Sequence, residues 1–290
     1  MEWQSLEAAV ERATGQAFNV RDSRSMGGGC INKAVLLSDG KRSFFVKLNA
    51  ASRLSMFEAE AAGLDEIRAA GAIRVPEPVC TGTSGGNAWF VMEFIPMGGR
   101  SNARLAGEQL ALMHRKQADA FGWRMENTIG STPQPNSWMK AWVAFWRDRR
   151  LGFQLQLAAR NGYGGALQAK GEKLLGCFDR LLDHDPAPSL LHGDLWGGNI
   201  GYADDGDPVI YDPAVYYGDR ETDLAMTELF GGFGPAFYEA YDAVWPVDSG
   251  YAVRKNLYNL YHILNHLNLF GGGYAGQAQG MIERLLAEIG

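Results

Sequence analysis

Apolar residues recur at helical spacing near the start of the chain. Leu6, Ala9, Val10 and Ala13 share one face, and Gly15 is placed to stop the helix. A two-residue period then takes over. Phe18 to Met26 and Ile31 to Leu37 read as strands on either side of Gly27-Gly28-Gly29, and Ser38-Asp39-Gly40-Lys41 as a hairpin turn. Ser43 to Leu48 reads as a third strand, in which Phe44, Val46 and Leu48 alternate onto one face and leave Lys47 on the other. A helix is predicted from about Leu54 to Ala70, closed by Gly71. Pro76 and Pro78 break the chain before a strand from Ala88 to Phe94.

From Ser101 onward the pattern turns mostly helical. The run from Trp138 to Ala159 carries Trp142, Phe145, Trp146, Leu151, Leu155 and Ala158, and one short β segment interrupts from Leu190 to about Tyr211. The pattern predicts an α+β protein with a small β-rich lobe over residues 1–95 and a larger, mainly helical lobe over 96–290. No internal repeat stands out.

Composition narrows the class. Charged residues make up 21% and hydrophobic ones 46% of the 290, the balance of a soluble globular chain. The net charge is -6 and no Lys/Arg block occurs, which argues against a nucleic-acid partner. Cys30, Cys80 and Cys177 are odd in number and widely spaced, so neither a disulfide framework nor a zinc site is expected, and a reducing cytoplasm fits. Met1-Glu2-Trp3-Gln4 has no signal-peptide character, and no apolar run reaches the ~18 residues of a membrane span.

The chemistry concentrates in His192-Gly193-Asp194-Leu195-Trp196-Gly197-Gly198-Asn199, which fits H-x-D-L-x-x-x-N, a kinase catalytic loop. An Asp must meet the acceptor hydroxyl and take or orient its proton. An Asn five residues later must turn back to hold a metal ion on the ATP phosphates. Ile200 to Tyr202 and Val209 to Tyr211 read as a hairpin, so Asn199 and Asp212 are expected as neighbouring oxygen ligands for Mg²⁺.

The upstream half offers a nucleotide grip. Gly27, Gly28 and Gly29 leave bare backbone for phosphates, although a plain hairpin turn explains them equally. Lys47 is the only charge inside an apolar strand, placed as the V-A-I-K lysine is. Two acids follow. At ~100° per residue, Phe57, Leu64 and Ile67 lie within ~60° of Glu60, whereas Glu58 lies ~160° away. An acid centred in an apolar stripe needs a buried partner, so Glu60 is paired with Lys47 and Glu58 is read as surface. The extended run Val91 to Pro96, with Glu93 and Ile95, is placed to hydrogen-bond an adenine edge. Cys30 follows the glycines, where backbone N–H groups and Lys47 favour a thiolate, which makes it a redox candidate. His262 and His266 lie one helical turn apart, but with Ile at 263 they are read as a helix face.

These residues also resemble a family. Gly193 stands where protein kinases have Arg. Leu191 to Asn199 with Trp196, the run Asp212-Pro213-Ala214-Val215-Tyr216-Tyr217-Gly218-Asp219-Arg220-Glu221-Thr222-Asp223-Leu224-Ala225-Met226, and Phe230-Gly231-Gly232-Phe233 are similar to the fructosamine (ketosamine) kinases. So are Gly28 to Asn32, Phe45-Val46-Lys47, and Trp142 through Arg149-Arg150-Leu151 to Leu155. The resemblance implies a protein-kinase-like two-lobed fold; a monomer or homodimer is expected, and the sequence leaves the choice between them open. It implies ATP- and Mg²⁺-dependent phosphorylation of a sugar hydroxyl on a ketoamine or glycated amine, in protein deglycation. It further implies Asp194 as the catalytic residue, Asn199 and Asp212 on Mg²⁺, Lys47 with Glu60 on the phosphates, and Asp223 as a brace for the loop. Trp196, Tyr217 and Asp219 are acceptor-side candidates. The alternatives are an aminoglycoside- or choline-type acceptor, or an ATP-binding regulator without turnover.

Overall fold

Helix α1 (Gln4–Thr14) buries Leu6, Ala9 and Val10 and ends at Gly15. The strands that follow are β1 (Asp22–Met26), β2 (Lys33–Ser38) and β3 (Ser43–Ala50); helix α2 (Leu54–Ala70) leads on to β4 (Pro78–Ser84) and β5 (Asn87–Glu93). The computed structural model describes residues 3–27 and 31–290. The five strands form one antiparallel sheet in the order β1-β2-β3-β5-β4. Phe44, Val46 and Leu48 of β3 join Leu6, Val10, Leu37, Trp89 and Val91 in one core beneath α1. Each such side chain contributes roughly 1.5–3 kcal/mol by leaving water. Lys47 points the other way with its cross-strand partner Phe90, and α2 covers that face through Phe57, whose ring lies 6.2 Å from that of Phe90.

Three departures from the pattern have physical causes. The first strand begins at Asp22, not Phe18, because Phe18 turns inward and meets the Phe44 ring edge-on at 5.0 Å. Its neighbour begins at Lys33. The stretch after Pro76, read as a break, holds an edge strand: Pro78 is its first residue, where a missing N–H forfeits no ladder bond.

Two compact units divide the chain. One runs to Asn102 and also takes in Gly201–Pro213; the other comprises Ala103–Ile200 and Ala214–Gly290. The first unit therefore continues past residue 95, and it gains a hairpin from the middle of the sequence. After α3 (Ala103–His114) and the hairpin β6 (Asn127–Ile129) and β7 (Thr132–Gln134), a helical run begins at Trp142 rather than Trp138. It passes from α4 (Trp142–Phe145) through a π-helical turn at Trp146–Leu151 into α5 (Gly152–Arg160). The widened turn carries Arg150 fully inside. Its guanidinium donates to the Pro135 carbonyl at 2.6 Å and to Asn136 at 2.8 Å, and lies 4.0 Å from the Tyr216 ring centre.

Then come α6 (Ala166–Leu175), β8 (Ser189–Leu191), β9 (Ile200–Tyr202), β10 (Pro208–Ile210) and β11 (Tyr216–Gly218). The β9–β10 hairpin packs Ala203 and Val209 on Ile95, within the first unit. Strand β11 pairs with β8. The chain closes with α7 (Glu221–Leu229), α8 (Pro235–Val244), α9 (Tyr251–Phe270) and α10 (Ala275–Ile289). Among the described residues no helix is long and apolar enough to cross a membrane.

His262 is buried in α9, and burial, with His266 nearby, lowers its pKa to about 3. The fold keeps this imidazole neutral while the unfolded chain protonates it below about 6.5. Stability is therefore lost as pH falls from about 6.5 towards 3, at up to ~1.4 kcal/mol per pH unit. His262→Leu should show a shallower loss over that range in denaturant titrations at stepped pH; parallel curves for the two proteins would contradict the assignment.

Candidate active site

Strand β3 and helix α2 place Lys47 and Glu60 face to face. The Lys47 ammonium, 5% exposed as a residue, donates to Glu60 Oε1 and, at 2.6 Å, to Asp212 Oδ1. Burial alone would lower the lysine pKa, but Asp212 and Glu60 outweigh it and hold Lys47 charged. Burial raises Glu60 to about 7, with the Asp212 carboxylate adding to the rise and Lys47 opposing it. One ammonium thus faces two carboxyl groups, and their proximity adds to the effect of burial on Glu60. Glu58 is exposed on the opposite side of α2. Asp212 ends the segment after β10 with φ +59°, the only described non-glycine residue at positive φ. Asp tolerates that region better than most residues, and the strained backbone sets the direction of its carboxylate.

The second unit presents the His192–Asn199 loop. Strand β8 leads in through buried Leu190 and Leu191. Asp223, 1% exposed in the first turn of α7, accepts from the backbone N–H groups of His192 at 2.7 Å and Gly193 at 2.8 Å. His114 Nε2 lies 3.1 Å from the same carboxylate. Burial would raise the Asp223 pKa, but these partners hold it below the usual carboxylate range. Gly193 has φ +82°, and a Cβ there would lie 2.1 Å from the Ala214 carbonyl oxygen. The Arg that protein kinases carry at this point has no room, and Ala214 instead donates its N–H to the His192 carbonyl at 2.8 Å. Asn199 donates through Nδ2 to the Asp194 carbonyl at 2.8 Å, which fixes these two residues of the loop to each other. Beyond Pro213, Gln134 and Asn127 hold the carbonyls of Ala214 and Val215 at 3.0 and 2.8 Å.

The remaining candidates fall in different settings. Gly27 is exposed with open space where a side chain would begin. Gly28, Gly29 and Cys30 lie outside the described residues. Glu93 gives its N–H to the Glu77 carbonyl at 2.8 Å, and its carboxylate meets Arg74 at 2.9 Å; Ile95 is buried. Trp196 is 39% exposed. Tyr217 and Asp219, expected on the acceptor side, are 5% and 2% exposed. Asp219 is taken up by Tyr258, by His184 at 2.7 Å and by the Glu221 N–H at 3.0 Å, so it acts as a buried brace. Beside it Arg254, fully buried, binds Glu221 through two bonds of 2.7 and 2.8 Å, together with Asp183 and Asp248. His184, Asp219 and Glu221 could group around a metal, but Arg254 already supplies the positive charge there. Sequence reading missed this cluster, and it missed His114, because their partners lie far away along the chain.

A strand lysine clamped by a helix acid, in a chain whose Asp194 loop is anchored by a buried carboxylate, is the arrangement of a class: the protein-kinase-like phosphotransferases. The fructosamine kinase family model matches residues 2–288. The probable ketoamine kinase of Synechocystis sp. is 48% identical over 98% of this chain and 97% of its own. The chloroplastic protein-ribulosamine 3-kinase of Arabidopsis thaliana is 45% identical over 94% of this chain and 85% of its own. A crystal structure from Haemophilus somnus, provisionally assigned as a fructosamine-3-kinase, superposes with a TM-score of 0.90 at 30% identity, covering 98% and 97% of the two chains. An aminoglycoside phosphotransferase bound to AMP-PNP and hygromycin B shares the fold alone, with a TM-score of 0.63 at 16% identity over 98% of each chain. The chain belongs to the fructosamine kinase family, and it is a kinase.

Glu60→Gln should lower kcat/KM for ATP by about tenfold to a hundredfold, and Glu58→Gln should leave it within about twofold. Steady-state kinetics at varied ATP decides this; equal effects of the two changes would refute the clamp. Gly193→Ala should destabilise the protein by about 2 kcal/mol or more, from the left-handed backbone and the clash with Ala214. Thermal unfolding at the wild-type midpoint would show otherwise.

Proposed function

We propose that this protein uses ATP and Mg²⁺ to phosphorylate a sugar hydroxyl of ketoamine adducts, namely fructosamines or the shorter ribulosamines and erythrulosamines. The phosphorylated adduct is unstable and releases its amine, so the protein takes part in deglycation. The observation that supports this reading is the contact of Lys47 with both Glu60 and Asp212. The names of the relatives, ketoamine kinase and protein-ribulosamine 3-kinase, supply the acceptor class.

In this reading Lys47 meets the α- and β-phosphates, with Glu60 keeping its stem in place. Lys47 would exchange Asp212 for a phosphate oxygen, and a metal ion would then supply the counter-charge for Asp212. Glu93 and Ile95 are assigned to the adenine edge, and Gly27 to the phosphates. Asp194 accepts the acceptor hydroxyl's proton as its oxygen bonds to the γ-phosphorus and the bond to ADP breaks. The donor set suits Mg²⁺: Asn199 spends Nδ2 on Asp194 and keeps Oδ1 for a ligand, and Asp212 is 44% exposed with only one oxygen on Lys47. Bound there, the ion would neutralise charge on the transferring phosphates.

Asp194→Asn should keep ATP affinity while turnover falls by about 10²–10⁴-fold. Near-normal ADP release on a ketoamine would sink the role. Asn199→Ala and Asp212→Ala should both raise the Mg²⁺ concentration needed for half-maximal rate. A panel of ketoamines assayed beside an aminoglycoside and choline tests the acceptor: turnover of the latter with none of the former would overturn the proposal.

A further inference from the structure

Asp212 stands at an unfavourable point of the backbone. Its φ of +59° lies in the left-handed region, and the next residue is Pro213, whose ring crowds the residue before it. Such a conformation persists only where the surroundings over-determine it. Upstream, β10 holds the chain, and Ile210 donates its N–H to the Arg74 carbonyl at 3.0 Å. Downstream, β11 begins only at Tyr216. The residues between are held by side chains of the β6–β7 hairpin.

Gln134 and Asn127 face each other across that hairpin. Gln134 directs its amide N–H groups to the Ala214 carbonyl at 3.0 Å and to Asn127 Oδ1 at 2.9 Å, and its Oε1 accepts from the Tyr261 hydroxyl at 2.7 Å. Asn127 donates to the Val215 carbonyl at 2.8 Å, and its Oδ1 also accepts from Asn136 at 2.8 Å. The oxygen of Asn136 in turn accepts from Arg150 at 2.8 Å. All five side chains are buried. Turning over the amide of Gln134 or Asn127 would set oxygen against oxygen, so each has a single orientation. A polar network inside a core is favourable only when its members are satisfied, and these amides are. The reacting groups assigned above include none of them. The network ends on Ala214, whose N–H lies on the His192 carbonyl at 2.8 Å while Gln134 grips its carbonyl.

We infer that Gln134 is a positioning residue for Asp212, acting through the Ala214 carbonyl. This rests on the reading of Asp212 as a Mg²⁺ ligand and adds what holds that ligand ready. Fixing the peptides after Ala214 and Val215 anchors the chain just past the aspartate. Pro213, between anchor and aspartate, has its own φ locked, so few torsions remain through which Asp212 could relax. The left-handed backbone is then retained, and with it the direction of the carboxylate. Without the anchor the carboxylate would have several directions open to it, and a cation would have to order it on binding.

The test measures binding rather than turnover. AMP-PNP is titrated calorimetrically into the protein with saturating Mg²⁺ and again with a chelator, and the factor by which Mg²⁺ tightens binding reads the metal site. Asp212→Ala should remove most of that factor. Gln134→Glu keeps the shape and loses both N–H donors; it should lower the factor by roughly threefold to tenfold. Gln134→Met removes the donors without burying an acid, and it carries the test if the glutamate variant does not fold. Tyr261→Phe deletes the bond on the far side of the amide and leaves both donors. It should lower the thermal midpoint as the Gln134 variants do, yet keep the factor within about twofold of wild type. A factor unchanged in the Gln134 variants, with Asp212→Ala defective, would overturn the inference and leave the role of Asp212 standing. So would a factor that falls in Tyr261→Phe as far as in the Gln134 variants, which would reduce the network to general stability. A wild type indifferent to Mg²⁺ would overturn the metal role of Asp212, and this inference with it.

Discussion

The carboxylate of Asp223 is the constraint on which the catalytic half depends. A buried charge survives only where its lone pairs are filled, and here the partners are the backbone of the loop to be positioned. Two N–H groups aimed at one carboxylate fix the peptide planes around Gly193, and with them the direction in which Asp194 leaves the chain. His114 carries the same wiring outward: its other ring nitrogen lies 2.7 Å from the Tyr241 hydroxyl, to which Arg220 donates at 3.1 Å. The loop is thereby tied to α3, α7 and α8, so a reactive segment that makes little regular structure is held by regular structure.

The first unit solves a different problem with the same means. Lys47 must remain charged inside an apolar sheet face, and it does so because one acid comes from the helix above and another from a hairpin far along the sequence. The sheet supplies the alternation that aims the lysine, α2 supplies the stripe that aims Glu60, and a strained residue supplies the third charge. Replacing Lys47 would leave the two acids facing each other without a counter-charge, whereas loss of either acid would still leave the lysine one partner.

Much of this was legible in the residues. The two-residue period of β3 separated Lys47 from Phe44, Val46 and Leu48, and the angular position of Glu60 placed it in an apolar stripe. The predicted helix from Leu54 to Ala70 has the observed bounds. What could not be read were contacts whose energy is tertiary. Arg254 reads as an ordinary helix charge until Glu221 and Asp183, 33 and 71 residues away, enclose it. Arg150 reads as part of a basic pair until aromatic rings and carbonyls surround its guanidinium. Pro78 hid a strand because a proline rule for strand interiors was applied to a strand's first residue on an edge. Tyr217 and Asp219, named as acceptor-side candidates, are buried, which the sequence did not indicate.

The left-handed backbone at Asp212 makes that position a double filter. Most side chains are excluded there by their own Cβ, and only short polar ones that can bond locally sit at modest cost. Glutamate has the right charge for a lysine or a cation, but it would meet the steric penalty and also carry its carboxylate one bond too far. Glycine would relax the backbone and remove the charge. Asparagine would fit the conformation too, and it would trade an ion pair for a dipole. Shape and charge thus restrict this position along independent lines that intersect at aspartate, so drift in sequence here would alter the enzyme's electrostatics before it altered its fold.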